Sequence, residues 1–304
     1  MERNGKLLKG LDGLYQVRTS DGLISCKCGG AVRHRGEKPL IGDNVTLSGD
    51  GSDYLITGIE TRKNELIRPP LSNLDTLFLV LSVTKPEPSL LTADKLLSIA
   101  EFNHIEPVLI ITKEDLDETG AETLASVYRK SGFDVFVTSS ARHGSENEIL
   151  KSFILSRMSN KTSAFAGASG VGKSTLISTL FPSLTLESGE ISQKIERGKH
   201  TTRHVELYPL SEVTGDPSRT GYLADTPGFG MLDLVHFDFF SLEDLPLTFR
   251  EFVPLLNECR YTKCSHTKEE GCAVLDALAK GRIAASRHES FLSMYADLKS
   301  KKRW

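Results

Sequence analysis

The 304-residue sequence has no uninterrupted apolar run of the kind a membrane-spanning helix needs, which is about 18–20 residues. Its best apolar stretch, Leu74 to Val83, is broken by Asp75, Thr76 and Ser82, which excludes a span. The first residues, Met-Glu-Arg-Asn-Gly-Lys, contain no apolar core for a secretory signal. A reducing, cytoplasmic setting is therefore expected. Cysteine is scarce, with five in all, and in that setting thiols or metal ligands are expected rather than disulfides. An excess of either charge is also missing. Lys and Arg number 37 against 40 Asp and Glu, for a net charge of -3, which excludes a protein that coats nucleic acid by bulk charge. No internal repeat or low-complexity segment is visible.

The composition that remains, 39% hydrophobic and 25% charged, is that of an ordinary globular protein. The length suits about two domains, or three if some are small. Charge is uneven along the chain. Residues 1–41 carry eight basic side chains against four acidic ones, and Lys299-Ser-Lys-Lys-Arg303 forms a second basic cluster. Each fits a solvated face as well as a contact with RNA.

Residues 1–67 read as short strands, at Gly13–Thr19, Gly22–Cys28, Asn44–Leu47 and Tyr54–Ile59, punctuated by Gly and Asp. That density suggests a small closed barrel, and OB-like, SH3-like and packing-only versions fit the composition equally. The pattern then changes. Leu74–Ser82, Pro107–Thr112, Asp134–Thr138 and Ser163–Gly167 read as buried strands, with helices at Leu91–Phe102, Ala121–Lys130 and Lys173–Leu180. Alternation of this type predicts an α/β layered domain with a parallel sheet over 68–236. From 237 to 304 the sequence is helical and carries Cys and His.

Gly167-Ala168-Ser169-Gly170-Val171-Gly172-Lys173-Ser174 is a full G-x-x-x-x-G-K-S, placed between an apolar strand and an amphipathic helix that continues through Thr175. Its glycines let successive N–H groups face a phosphate, and the helix start adds its dipole. Lys173 would reach the β- and γ-phosphates, and the Ser174 hydroxyl would ligate Mg²⁺. Gly221-Tyr-Leu-Ala-Asp225-Thr-Pro-Gly228 ends an apolar strand on an acid. Asp225 would hold the Mg²⁺ shell through water, and the Gly228 amide would sense the γ-phosphate. Between them, in Gly198–His204, Thr202 is the expected Mg²⁺ ligand, with Thr201 second to it.

Thr112-Lys113-Glu114-Asp115 follows the strand at 107–111. A carboxylate at Asp115 accepts from N1–H and the 2-amino group of guanine. Adenine offers neither donor, so it would leave the acid unpaired. The Lys113 stem would cover the ring face, and the amides around Ser139, Ser140 and Ala141 would face O6. Further on, Cys259-x4-Cys264-x-His266-x5-Cys272 supplies three thiols and one imidazole. Four such ligands close a tetrahedral Zn²⁺ site with no open position, which makes the metal structural rather than catalytic. Cys26 and Cys28 share one strand face and are expected to pack.

Together these parts are similar to the GTPase motif set in rotated order: base-reading elements at 112–115 and 139–141, the phosphate loop at 167–174, the threonine loop at 198–203 and Asp-Thr-Pro-Gly at 225–228. Ordinary small GTPases begin with the phosphate loop and end with the base reader. The order resembles that of circularly permuted GTPases. With the barrel and the Cys/His module, the chain closely resembles the ribosome small-subunit-dependent GTPase A family. The resemblance implies an OB-fold at 1–67, a circularly permuted GTPase domain at 68–236 and a zinc-binding helical domain at 237–304. It also implies binding to the 30S subunit and its 16S rRNA, GTP hydrolysis stimulated by the ribosome, and a role in late small-subunit maturation. No membrane partner is expected, and the chain is expected to be a monomer. Two departures stand out. Thr112 occupies a position where most GTPases carry Asn, so nucleotide affinity is expected to be modest. Phe229 follows Gly228 where a water-orienting Gln often stands, so slow intrinsic hydrolysis is expected, with His200 or His204 as assisting groups. The alternative reading is a GTP-gated RNA-binding switch in which hydrolysis is incidental. An ATP-using P-loop enzyme is a third, and Asp115 argues against it.

Overall fold

The computed structural model describes residues 2–50, 53–67, 69–139, 145–181, 205–225 and 240–300. Its contacts divide into two compact units that do not follow chain order. One unit combines Met1–Thr76, Glu148–Phe165 and Ser174–Phe229; the other combines Leu77–Asn147, Ala166–Lys173 and Gly230–Trp304.

In the first unit, strands β1 (Glu2–Leu11), β2 (Leu14–Thr19), β3 (Gly22–Cys28), β4 (Asn44–Asp50) and β5 (Asp53–Ile59) close a barrel in the order β1-β2-β3-β5-β4. The β3–β5 pair is parallel, and a short helix α1 (Gly30–His34) lies between β3 and β4 in the chain. This is the connectivity of an OB-fold, so of the three barrels compatible with the composition, the OB-like one is present. Leu7, Val17, Cys26, Cys28, Val45, Leu47 and Ile56 fill the interior. Both cysteines face inward, and burial pushes the Cys26 thiol up to about 11. Strand β1 has no apolar alternation to announce it; its first five residues are Glu-Arg-Asn-Gly-Lys. It forms because β2 and β4 pair with it on both edges. The loop after the barrel is tied back by Arg62, whose guanidinium holds the buried Asp43 carboxylate with Nε–Oδ1 and Nη2–Oδ2 both at 2.8 Å. Two short strands, β6 (Glu65–Leu66) and β7 (Leu71–Ser72), pair antiparallel.

The same unit contains part of the α/β region. Strand β11 (Thr162–Ala166) runs parallel to β13 (Tyr222–Asp225), and β12 (Glu206–Pro209) pairs antiparallel with β13. Helices α4 (Ser145–Met158), α5 (Lys173–Leu180) and α6 (Leu210–Thr214) accompany these strands.

In the second unit, every residue of β8 (Thr76–Ser82) is buried, as its continuous apolar run requires. Strand β9 (Glu106–Thr112) runs parallel to β10 (Asp134–Val137). Helix α2 (Leu90–Phe102) is capped by the Ser89 side chain, which accepts from the Thr92 N–H. Helix α3 (Glu118–Lys130) begins three residues before its apolar pattern does, because Asp117 caps it by accepting from the Gly120 N–H at 2.8 Å. The C-terminal segment contributes two single-turn helices, Leu245–Thr248 and Val253–Leu255, then α7 (Ala273–Ala279) and α8 (Ala285–Ser300). Among the described residues no helix is long and apolar enough to cross a membrane.

Candidate functional site

The phosphate loop leaves the carboxy-terminal end of β11 and enters α5. Gly167 has φ 154°, and a Cβ there would sit 2.4 Å from the Val80 carbonyl oxygen, so only glycine fits against β8. Gly172 turns the chain with φ 94°. Ala168, Ser169 and Gly170 are exposed, whereas Val171 tucks into the core. Lys173 opens α5 and donates from Nζ to the Gly167 carbonyl at 3.2 Å, lying back over the loop it serves. Ser174 and Thr175 follow in the first helical turn, both exposed.

The base-reading turn meets this loop directly. Thr112 ends β9 with its hydroxyl 2.5 Å from the Val171 carbonyl oxygen and 3.1 Å from that of Leu81. The tie between base reader and phosphate loop, a job of Asn in most GTPases, is made here by a hydroxyl. Lys113 adopts a left-handed backbone, φ 61°, and its ammonium donates to the Gly170 carbonyl at 2.8 Å and to that of Lys85. The stem of Lys113 is thereby stretched from the base-reading turn to the phosphate loop. Glu114, Asp115 and Leu116 form a single helical turn, in which Asp115 is exposed and accepts a hydrogen bond from the Ser139 hydroxyl. Ser139 is buried after β10, beside Thr138, whose N–H donates to Ile111 at 2.8 Å. Thr112, Lys113, Asp115, Ser139, Gly167, Gly170, Val171 and Lys173 are thus brought together within one unit.

Other predicted residues are placed less fully. Asp225 closes β13 in register with Glu206. Ser140, Ala141, His200, Thr201, Thr202, His204, Gly228 and Phe229 lie outside the described residues. The Lys85 carbonyl, which receives the Lys113 ammonium, had no signal in the sequence.

The Cys/His cluster forms a compact donor set. The ligand atoms of Cys259, Cys264, His266 and Cys272 all lie within 4.8 Å of one another. Sγ of Cys259 is 3.9 Å from Sγ of Cys272, and His266 Nδ1 is 3.6 Å from the first and 3.5 Å from the second. A tetrahedral Zn²⁺ with Zn–S near 2.3 Å sets its sulfurs about 3.8 Å apart, so the spacing fits this metal. Hydrogen bonds and ring contacts also brace the loop. The Glu269 carboxylate, despite burial, is kept down at about 2 by hydrogen bonds from Ser265 and from the backbone N–H of Ser265 and Lys268. His288 Nε2 lies 2.9 Å from the His266 carbonyl. The His266 ring itself packs beside Phe252 and Phe291.

This arrangement carries a family. A sequence profile described as RsgA GTPase matches residues 59–235, and one described as RsgA N-terminal domain matches residues 4–54. The chain belongs to the RsgA GTPase family. Proteins called small ribosomal subunit biogenesis GTPase RsgA from Alkaliphilus metalliredigens and Caldanaerobacter subterraneus subsp. tengcongensis are each 39% identical to it. The first match covers 99% of both chains; the second covers 100% of this chain and 98% of the relative. Among solved structures, YloQ, described as a circularly permuted GTPase, has 31% identity and a TM-score of 0.79 over 100% of this chain and 97% of its own. YjeQ from Thermotoga maritima has 30% identity and a TM-score of 0.81 over 99% and 100%. Membership in the RsgA family makes the chain a GTP hydrolase, and the barrel, the permuted GTPase region and the Cys₃His cluster match the expected fold.

Proposed function

We propose that the chain binds GTP through the residues assembled above, hydrolyses it when bound to the 30S subunit, and acts in small-subunit maturation through contact with 16S rRNA. The observation that carries this reading is the Thr112–Val171 bond together with the Lys113–Gly170 bond, which hold the base-reading turn against the phosphate loop. In this reading Asp115 selects guanine, and Lys173 neutralises the β- and γ-phosphates. Ser174 and Asp225, with Thr202 or Thr201, would hold Mg²⁺, which supplies further neutralisation of the triphosphate. Zn²⁺ at Cys259, Cys264, His266 and Cys272 has a structural role. The domain bounds carried with the reading are 1–67, 68–236 and 237–304. The names of the relatives support the subunit as partner, and the basic amino-terminal segment supports rRNA contact.

The test is GTP turnover by the intact protein and by Lys173→Ala, each with and without purified 30S subunits. Slow hydrolysis alone, marked acceleration by 30S, and loss of both rates in the variant are expected. Fast turnover by the free protein, or an unaffected variant, contradicts the reading.

A further inference from the structure

A cavity of about 880 Å³ lies within the barrel-containing unit, on the β1–β2 side of the barrel and at the amino-terminal ends of β11 and β13. It is not the phosphate loop, which follows the opposite, carboxy-terminal end of β11. Five cations line it: Lys6, Arg18, Lys63, Lys161 and Arg219. Asp75 is the one carboxylate in its lining.

Three of the five cations already have a carboxylate. Lys63 Nζ is 2.7 Å from Asp75, Arg219 Nε is 3.3 Å from Asp216, and Arg18 pairs with Glu212. Asp75 has its second oxygen engaged by the Thr162 N–H at 2.8 Å, so it is committed to Lys63 and the backbone. The ammonium groups of Lys6 and Lys161 make neither a hydrogen bond nor an ion pair with any described residue, though both side chains are half-buried. Lys6 stands in register with Arg18 on one side and Asn44 on the other. Burial lowers its pKa, with the neighbouring Lys63 adding to the effect and the charges of Asp75, Asp43 and Glu60 acting the other way. Two lysine ammonium groups without a direct partner, on a polar recess lined by three further cations and a single carboxylate, are groups that a bound anion would pair with.

The anion must accept from several donors at once and carry more than one charge, which favours phosphate over a single carboxylate. The volume lies within the range of roughly 300–1,000 Å³ typical of small-molecule sites. The cations converge on this recess from β1, from β2 and from the chain entering β11 and β13, a convergence that suits a compact polyanion. We propose that this cavity is a second anion site, which takes a small molecule carrying an oligophosphate and holds it through Lys6 and Lys161.

The test is isothermal titration of sodium tripolyphosphate into the full chain, with the nucleotide site first saturated with GDP and ionic strength held constant. GDP loading is measured separately, so a failure of the nucleotide reading is seen before the cavity is probed. One saturable event is expected, weakened by about tenfold or more in Lys6→Gln/Lys161→Gln, with GDP affinity unchanged. If that double variant does not fold, Arg219→Gln on the exposed rim is expected to give a smaller loss of the same kind. Absence of saturable binding, or equal affinity in native and variant protein, overturns the proposal. So does a result in which a single-stranded RNA oligonucleotide binds in a Lys6- and Lys161-dependent way while tripolyphosphate does not.

Discussion

A hydroxyl has one hydrogen to give, and Thr112 has two carbonyl oxygens within reach, that of Val171 at the shorter 2.5 Å and that of Leu81 at 3.1 Å. The first bond crosses 59 residues of chain and is buried, so it is shielded from competition by water. Thr112→Val keeps the branched shape and removes the donor. The Val171 carbonyl then loses its tie to the base reader, at a cost of about 1–2 kcal/mol. Guanine nucleotide affinity should fall by roughly 5- to 30-fold. Titration of a fluorescent GDP measures this, and equal affinity in variant and native protein would show that the bond does nothing for the nucleotide. At this scale most of the candidate site was legible, because Gly167–Ser174, Thr112–Asp115 and Cys259–Cys272 each keep their chemistry within one short stretch of chain. What stayed hidden depends on residues distant in sequence. That Thr substitutes for Asn by bonding to Val171, and that the Lys113 ammonium finds Lys85, follows only from how β8, β9 and the phosphate loop pack.

Among the elements, α2 and α8 are joined by a buried charge cluster that no local pattern announces. Arg287 on α8 is 1% exposed at its side chain, as is Asp94 on α2, and their Nη1–Oδ1 distance is 2.6 Å. Glu251, before the Val253–Leu255 turn, accepts from Nε at 2.7 Å and from Nη2 at 3.2 Å. The guanidinium also lies over the Phe249 ring, 4.5 Å from its centroid. Burial alone would lower the Arg287 pKa, but the two carboxylates outweigh it and raise it. Asp94 and Arg287 are 193 residues apart in sequence, which is why no local pattern pairs them. Arg287→Met leaves two carboxylates buried without their cation, and should cost about 3–5 kcal/mol of stability. Urea unfolding of the full chain measures it; a loss below about 1 kcal/mol would mean that water reaches the site. The metal cluster belongs to the same segment. Its aromatic neighbours Phe252 and Phe291 also pack against each other, with ring centroids 5.0 Å apart. One Zn²⁺ per chain is therefore expected by elemental analysis. Its removal by a strong chelator should lower helical circular dichroism as the 240–300 segment loosens. Retention of full helicity by a demetallated sample would show that Glu269 and the aromatic packing hold the loop unaided.

For the whole molecule, the rotated motif order has a consequence that an ordinary GTPase lacks. Asp-Thr-Pro-Gly at 225–228 is followed directly by the chain that leads to the Cys/His segment, and not by the rest of a GTPase domain. If, as proposed, this loop senses the γ-phosphate, the sensor is covalently next to the module built around Arg287 and the metal ligands. That module is fastened to α2 by the Asp94–Arg287 pair and by Lys95–Asp297 at 3.0 Å. On that reading a nucleotide-dependent difference at the motif would be felt by a firmly held segment and would register as a difference in binding energy. The affinity of the full chain for 30S subunits should accordingly differ between GDP and a non-hydrolysable GTP analogue by about 5- to 150-fold, the usual span of coupling between two sites. Sedimentation of the protein with 30S subunits in the two nucleotide states reads this directly. Repeating it with Arg287→Met separates the coupling from simple nucleotide binding. If loosening the α2–α8 cluster leaves GDP and analogue affinities intact but brings the two 30S affinities together, the coupling runs through the fastened module. If the native protein binds 30S equally well in both states, the permutation moves the motifs without linking them to the ribosome.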